Sequence, residues 1–504
     1  MKKKNRNILI MLAVLVVIGI TAVLLLTQPP EPAEENSSSV SSSVSIPIIS
    51  RAAAEVASVT VENPQGRYVL LPAPKEKISS EASSEVSAAE SPVNFTLQGL
   101  EDIPLNTGAV SAAARSLFPL SAVKEIETPD ALADFGLAGT GEATLTVAYT
   151  DGGSDKLVVG IKSTGTTGRY VMAGDKVYIA SSLSESLLGG ELSFVDTAVI
   201  TVPDIKTKDE EGNETAAPDE MEAIIFSGSN FAAPIEIVLN ENNPNSMMPN
   251  KMVAPITADV NSNTLTEITT ALKTVSAASA VQVHVTDADL AQYGLDKPYA
   301  QVDYTMNGEQ HSVKVSEPDE DGQCYLAADG KPIVYQIPAA SVSVWTNTTT
   351  NSLRASYIFL ANIQDVEKLS FKAGDQSYVF EMKREQDEEA SGDTPQYTIL
   401  PSLGGKDIDY KKTYQPMYSA LLNVSILSSE PVEYDKTKTP VLSIDYAYFE
   451  NSNVDHVTFY TVEGQDRYAV EVNGVYSGIV RGTSLNEFLT TLQKAAQNEV
   501  LKAD

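Results

Sequence analysis

The chain has 504 residues, 42% of them hydrophobic and 7% aromatic, with 35 Lys and Arg against 67 Asp and Glu and a formal net charge of −32. That apolar content excludes a wholly disordered chain and, at roughly 150 residues per domain, predicts about three folded units. The acidity, with no run of Lys or Arg beyond the first six residues, excludes a nucleic-acid partner and disfavours anionic lipid surfaces.

Residues 1–7 form a basic start carrying Lys2, Lys3, Lys4 and Arg6, and the run Ile8 to Leu26 is broken only by Gly19 and Thr21. As a helix those residues span about 28 Å, close to the roughly 30 Å hydrocarbon core of a bilayer, so 8–26 is predicted as one transmembrane helix. Glu31, Glu34 and Glu35 follow it, which puts the N-terminus in the cytoplasm and the C-terminal domains outside: a single-pass protein of the cell membrane. A cleaved signal peptide is the competing reading. Against it, the run is long for a signal core and Thr27-Gln28-Pro29-Pro30 offers no small-x-small cleavage site.

Residues 27–57, with Pro29, Pro30, Pro32 and the serine cluster Ser37 to Ser45, have the composition of a tether that buries too little apolar surface to fold. A second Ser/Glu-rich stretch, 79–92, is predicted as a disordered insert. Between them Ser58 to Pro72 alternates like a hairpin.

The rest of the chain repeats itself. LADFGL (Leu132–Leu137) recurs as LAQYGL (Leu290–Leu295), the glycines lying 158 residues apart; Gly168-Arg169-Tyr170 answers Gly322 to Tyr325, and Val177-Tyr178 answers Val334-Tyr335. Helical segments are predicted upstream at Leu105–Phe118, Leu265–Val275 and Tyr414–Val424. Alternating strands follow: Leu145, Val147 and Tyr149 before Asp151-Gly152, and Val302, Tyr304 and Met306 before Asn307-Gly308, both hairpin turns. A third copy keeps Tyr434, Pro440 and the strand and turn Tyr468–Gly474 but has lost the Tyr-Gly-Leu signature. Each repeat is expected to open with a strand pair, at Ser58–Pro72, Ala198–Phe226 and Lys368–Lys383, and the last to close with a helix over Ser484–Lys502. The predicted class is α+β: tandem repeats of antiparallel sheet with a covering helix, bounded at 58–193, 194–360 and 361–504. In the Tyr-Gly-Leu motif, Gly294 and Gly136 are expected at positive φ, with Tyr293 and Leu295 packed on the helix.

These motifs, above all YGLDKP at Tyr293–Pro298, resemble a bacterial membrane-anchored family known as domain of unknown function 4340, with two clear copies and a third. The resemblance covers the chain after the tether, strongest over Asp289–Tyr335. It implies an accessory role beside an ABC-type transporter related to the gliding-motility export system, and it supplies no catalytic or ligand residue to carry over. The serine-rich tether and the acidic loop Pro203–Glu220 depart from the family's pattern.

No constellation of residues amounts to chemistry. Cys324, the sole cysteine, excludes an intramolecular disulfide and a multi-thiolate zinc site, and fits a small strand residue. His284, His311 and His456 lie far apart, His311 as an exposed strand residue, and form no zinc motif. Asp319-Glu320-Asp321-Gly322 and Asp209-Glu210-Glu211-Gly212 lack the twelfth-position glutamate of a calcium loop and fit solvated turns. Ser121 and Lys124 match Ser-x-x-Lys without the companion triplets of penicillin-binding enzymes. No catalytic, cofactor-binding or metal-ligating residue is therefore assigned, and no enzyme is expected. The favoured expectation is a non-enzymatic accessory or scaffold subunit of an ABC-type, gliding-related transport complex. The alternative is a cell-envelope module binding wall polymer, sugar or peptide, for which Trp345 offers little and the 21 tyrosines more. A hydrolase with a carboxylate pair that no spacing rule locates is third.

Overall fold

The structure, a computed structural model, describes residues 45–74, 92–127, 131–208, 212–240, 249–386, 397–449 and 452–501. The expected basic start, the helix at 8–26, the tether up to residue 44, Asp209–Glu211 and nearly all of the insert at 79–92 lie outside them. Among the described residues no helix is long and apolar enough to cross a membrane.

Alternation of apolar and polar residues gives each strand one face for a core, and the chain uses this to build three antiparallel sheets of nine strands each. The second sheet sets the plan. Met221–Ser227 pairs outward with Ile235–Leu239, Asn250–Ala254 and Ala258–Asp259. The helix Ser262–Lys273 then crosses the sheet and delivers Ser279–Val283 to the far edge. The meander Ala300–Met306, Glu309–Val315, Gln323–Ala328, Ile333–Pro338 fills the middle. The third sheet follows the same order from Val366–Ala373 to Val475–Arg481, with Gln415–Leu422 as its crossing helix and Gly482–Ala496 closing over it. The copy that had lost its signature is complete as a fold.

Local chemistry explains the elements. Asn307 and Gly308, at φ 55° and 78°, make the two-residue turn that matches strand twist, and Asn473 and Gly474 repeat it at 51° and 79°. The side chain of Asn261 accepts from the Asn263 and Thr264 amides to start its helix, and Leu265, Ile268 and Leu272 bury one stripe of it. Asn106 caps the equivalent helix Thr107–Arg115 through the Ala109 amide at 3.0 Å. Val302, Tyr304 and Met306 face this helix layer from the sheet, in a core that runs without a break through the first two repeats; the third repeat has its own.

Two expectations need correction. The opening pair of the second repeat is Met221–Ser227 with Ile235–Leu239, not a hairpin within Ala198–Phe226; Ala198–Thr201 instead pairs with Thr274–Ser276 after the crossing helix, a partner no local pattern reveals. The acidic loop between them forms a small ribbon, Lys206–Lys208 with Glu214–Ala216, and Lys273 holds its ends through Asp204 and Asp219 at 2.5 and 2.7 Å. The expected tether at 27–57 also overlaps the fold. Ile46–Ile49 is a strand of the first sheet, adding to the edge of Leu120–Ile126 with Ile49 buried, because this apolar run satisfies an edge that composition averaged over 27–57 conceals.

The later edges are covered by the preceding repeat. Ser279–Val283 lies against the turn Glu191–Phe194 of the first repeat, and His284 reaches back to Asp102 at 3.0 Å. Ile426–Ser428, the edge of the third sheet, donates its Ile426 amide to the Ser356 carbonyl of the second repeat at 2.9 Å. Arg354 locks this junction. It is 5% exposed and donates to the Ala355 and Tyr357 carbonyls at 2.9 and 3.1 Å, to Ser429 Oγ at 3.0 Å and to the Ser477 carbonyl. Burial pulls its pKa down to about 10, so it stays charged at neutral pH. Removing a buried group that satisfies several acceptors costs about 2–4 kcal/mol. Arg354→Met is therefore expected to speed amide hydrogen exchange in Ile426–Ser428 and Val475–Arg481 at least tenfold while leaving the first sheet unchanged; equal protection in both proteins would contradict this role.

Candidate functional site

The Tyr-Gly-Leu motif sits where its glycine directs it. Gly136 and Gly294 have φ of 66° and 68°, turning the chain back over the sheet. It does not pack on the crossing helix. Leu295 lies with Ala327 and Val334, and Leu137 with Val158 and Val177, on the opposite face of the sheet from the main core. The reason is strand alternation: Tyr325 and Ala327 point away from Cys324 and Leu326. Phe135 meets Tyr170, and Tyr293 meets Tyr325, each with ring centroids 4.7 Å apart.

The third repeat keeps this patch by another route. Strand pairing puts Ala469 where Tyr170 and Tyr325 stand, and the missing ring comes from the next strand as Tyr476, 5.9 Å from Tyr434, with Tyr460 at 5.5 Å on its other side. Glu471, at the position of Met172 and Ala327, is buried and accepts from the Tyr434 hydroxyl at 2.7 Å while pairing with Lys436. Three versions of one clasp mark a folding device.

The other candidates stay apart. His311 is half-buried rather than exposed, its ring 5.1 Å from that of Tyr304, because strand register sets it directly opposite that core-facing residue. His456 contacts Asp445 at 2.7 Å, and His284 belongs to the first junction. Among the described residues no group of three or more His, Cys, Asp or Glu could hold a metal ion. Asp319 spends its carboxylate on the Asp321 and Gln323 amides of its own turn, at 3.0 and 2.8 Å. Ser121 and Lys124 lie on a strand with no hydrogen bond joining them, and Trp345, 1% exposed, is core.

The structure adds a site that the motifs did not indicate. Between the end of Glu309–Val315 and the helix Ala339–Thr346 lies a pocket of about 220 Å³, lined by Tyr299, Val315, Pro318, Cys324, Ala340 and Thr346 among others. Its floor is nearly closed to solvent, with Cys324 3% and Thr346 4% exposed. Burial, and then Asp319, pushes the Cys324 thiol pKa up, which keeps the group protonated and unreactive at neutral pH.

The sister repeats show what this location normally holds. By strand register Cys324, paired with Ile337, corresponds to Arg169, paired with Ala180, and to Tyr468, paired with Val480. Arg169 fills the place with a guanidinium, bonded to both Glu185 oxygens at 2.8 Å, to the Gly160 carbonyl at 2.8 Å and to Glu142. In the third repeat Tyr468 takes the position, half-buried against the third core. In the second repeat the small cysteine leaves it open, and Tyr299 stands at the position of Glu142. The only sequence signal was the misaligned pair GRY and GQCY, which says nothing of a pocket until register is known.

The family described as Domain of unknown function (DUF4340) matches residues 96–217 and 251–440, more than half of the chain. The chain belongs to this family. The two DUF4340 matches begin inside corresponding strands, Phe95–Leu97 and Asn250–Ala254, and the second runs on into the third repeat, stopping just before Leu442–Tyr448. The pocket lies wholly within the second match. No curated protein and no solved structure matches the chain.

The two motif glycines separate two costs. At Gly294 an added Cβ has open space, its nearest neighbour being Ser316 Cβ at 3.8 Å, so Gly294→Ala pays only for positive φ, roughly 1–2 kcal/mol. At Gly136 the same Cβ would meet Ile161 Cγ2 at 2.7 Å and its amide nitrogen at 2.9 Å. Gly136→Ala is thus expected to lower thermal stability clearly more than Gly294→Ala in melting curves of the two variants; the reverse order would refute the packing described.

Proposed function

We propose that this protein is a membrane-anchored, extracytoplasmic scaffold, a non-enzymatic accessory subunit of an ABC-type transport complex related to the gliding-motility system. The observation that carries this reading is the way the array is closed at its start. Repeat proteins need a cap where no neighbour covers the first unit, and here the cap is the strand Ile46–Ile49, supplied by the chain as it leaves the expected tether. An anchor at Ile8–Leu26 would leave only Thr27–Val44 before the folded array. Fully extended, those residues reach no further than about 60 Å. Such a chain holds the first repeat near the membrane and points the others away from it in a set order, which suits a subunit that docks beside a membrane complex.

A cell-envelope binding module for wall polymer, sugar or peptide is the second reading, and the pocket at Cys324 favours it. The short tether counts against reach into a distant wall, and the buried Trp345 supplies no exposed aromatic platform. The discriminating experiment is crosslinking in cells of the tagged full-length protein, followed by mass spectrometry, with a version whose residues 1–26 come from an unrelated single-pass protein run in parallel. Capture of transporter subunits several-fold above background by the native form alone is the expected result. Enrichment of no membrane protein, together with sedimentation of the soluble repeats with purified cell wall, would replace the scaffold by the binding module.

A further inference from the structure

We infer that the array of repeats bends at one place, Ser356–Tyr357. There the third repeat turns as a separate body against a rigid pair formed by the first two, and Arg354 is the latch that sets the angle. Three observations lead there, and none depends on the scaffold reading.

The first is the distribution of apolar burial. The first two repeats share a single core, which runs from Ile49 in the first sheet to Leu353 at the end of the second repeat. Bending between them would open that core to water, and apolar burial is the main term that opposes such a motion. The third repeat has a core of its own that begins at Ile358. Among the described residues, no strand or helix of the second repeat packs along one of the third, and Tyr476 alone reaches from the third repeat to the rim of the shared core. Units joined through a small polar interface move against each other, whereas a large apolar interface holds its partners together.

The second is how the chain crosses each junction. It enters the second repeat as the strand Ala198–Thr201, paired with Thr274–Ser276. The Ala277 amide to the Thr197 carbonyl and the Val202 amide to the Lys273 carbonyl, both at 2.9 Å, extend that pairing at its two ends, and Lys331 Nζ donates to the Ala198 carbonyl at 2.5 Å. It enters the third repeat with a single ladder bond among the described residues, from the Ile426 amide to the Ser356 carbonyl. Ala355 is fixed to the second repeat, its amide donating to the Asp259 carbonyl at 2.7 Å, and Ile358 is buried in the third core. Only Ser356 and Tyr357 lie between these two points, both exposed and both in a bend of the chain. Hinges are short segments of this kind, which change φ and ψ without breaking packing.

The third is the placement of Arg354. Its donors reach the Ala355 carbonyl before the bend and the Tyr357 carbonyl after it, and extend to Ser429 Oγ and the Ser477 carbonyl in the body of the third repeat. Beside it the Ser429 amide donates to Asn351 Oδ1 at 2.8 Å. A planar guanidinium with several donors selects one geometry, and the polar groups it satisfies can turn to water when the junction opens. The side chain thus fixes an angle that the backbone alone leaves free.

The test uses the full-length protein in detergent, with Cys324→Ala to remove the native thiol and spin labels placed in pairs on exposed turns. Asp175 and Asp329 stand in the same turn of the first and second sheets, and Asp375 in the first hairpin turn of the third. Distances are read by double electron–electron resonance. The pair Asp175→Cys with Asp329→Cys is expected to give a narrow distribution that Arg354→Met leaves unchanged. For the pair Asp329→Cys with Asp375→Cys, Arg354→Met is expected to widen the distribution about twofold. Arg354→Lys, which keeps the charge but not the planar fork, is expected to widen it less. Two glycines inserted between Ser356 and Tyr357 are expected to widen this second pair and not the first. A second pair that stays as narrow as the first in an Arg354→Met protein with an intact circular dichroism spectrum overturns the proposal, and so does equal widening of both pairs. If Arg354→Met does not fold, the glycine insertion decides by the same two criteria.

Discussion

Every antiparallel sheet ends in two edges of unpaired amides and carbonyls, and the arrangement of this molecule follows from how those edges are met. In each repeat the crossing helix delivers one strand to the far edge, beyond the meander that follows it in sequence. That edge is then covered by whatever precedes the repeat: Glu191–Phe194 for the second, Ser356 for the third, and the short strand Ile46–Ile49 for the first. One constraint thus fixes repeat order and makes the segment just after the expected tether part of the fold. Arg354 is the charged form of the same solution, a buried cation whose donors satisfy carbonyls where two repeats meet.

The two faces of each sheet carry different loads. One face meets the helix layer and holds the large core; the other is closed over a smaller area by the Tyr-Gly-Leu loop or, in the third repeat, by Tyr434 and its neighbours. The third clasp shows how a motif disappears while its physics persists. Ala469 gives up the ring, Tyr476 supplies it from the next strand, and the space between them admits a buried Glu471 held by Tyr434 and Lys436.

Repetition also makes the pocket at Cys324 visible. A cavity alone says little, since packing imperfections occur in any large protein. Here two sister sites act as internal references, one satisfied by an arginine with two glutamates and one by a phenol. What distinguishes the second repeat is a single small side chain, with Tyr299 in place of Glu142 and Asp319 close by.

The sequence by itself determined the α+β class, the number of repeats, the crossing helices, the Asn-Gly turns and the positive φ of Gly136 and Gly294. All of these depend on residues close together in the chain, where periodicity and turn chemistry act directly. It misjudged what depends on distant partners. Ala198–Thr201 looked like half of a hairpin because its mate, Thr274–Ser276, lies beyond a helix; Ile46–Ile49 vanished into a serine-rich average because its value lies in an edge some 70 residues away. The face on which Leu295 packs, the burial of His311 and the equivalence of Arg169, Cys324 and Tyr468 follow from strand register, a property of pairs of strands that no single segment encodes. Only the tertiary structure could decide them, because only there does a missing side chain become a space with walls.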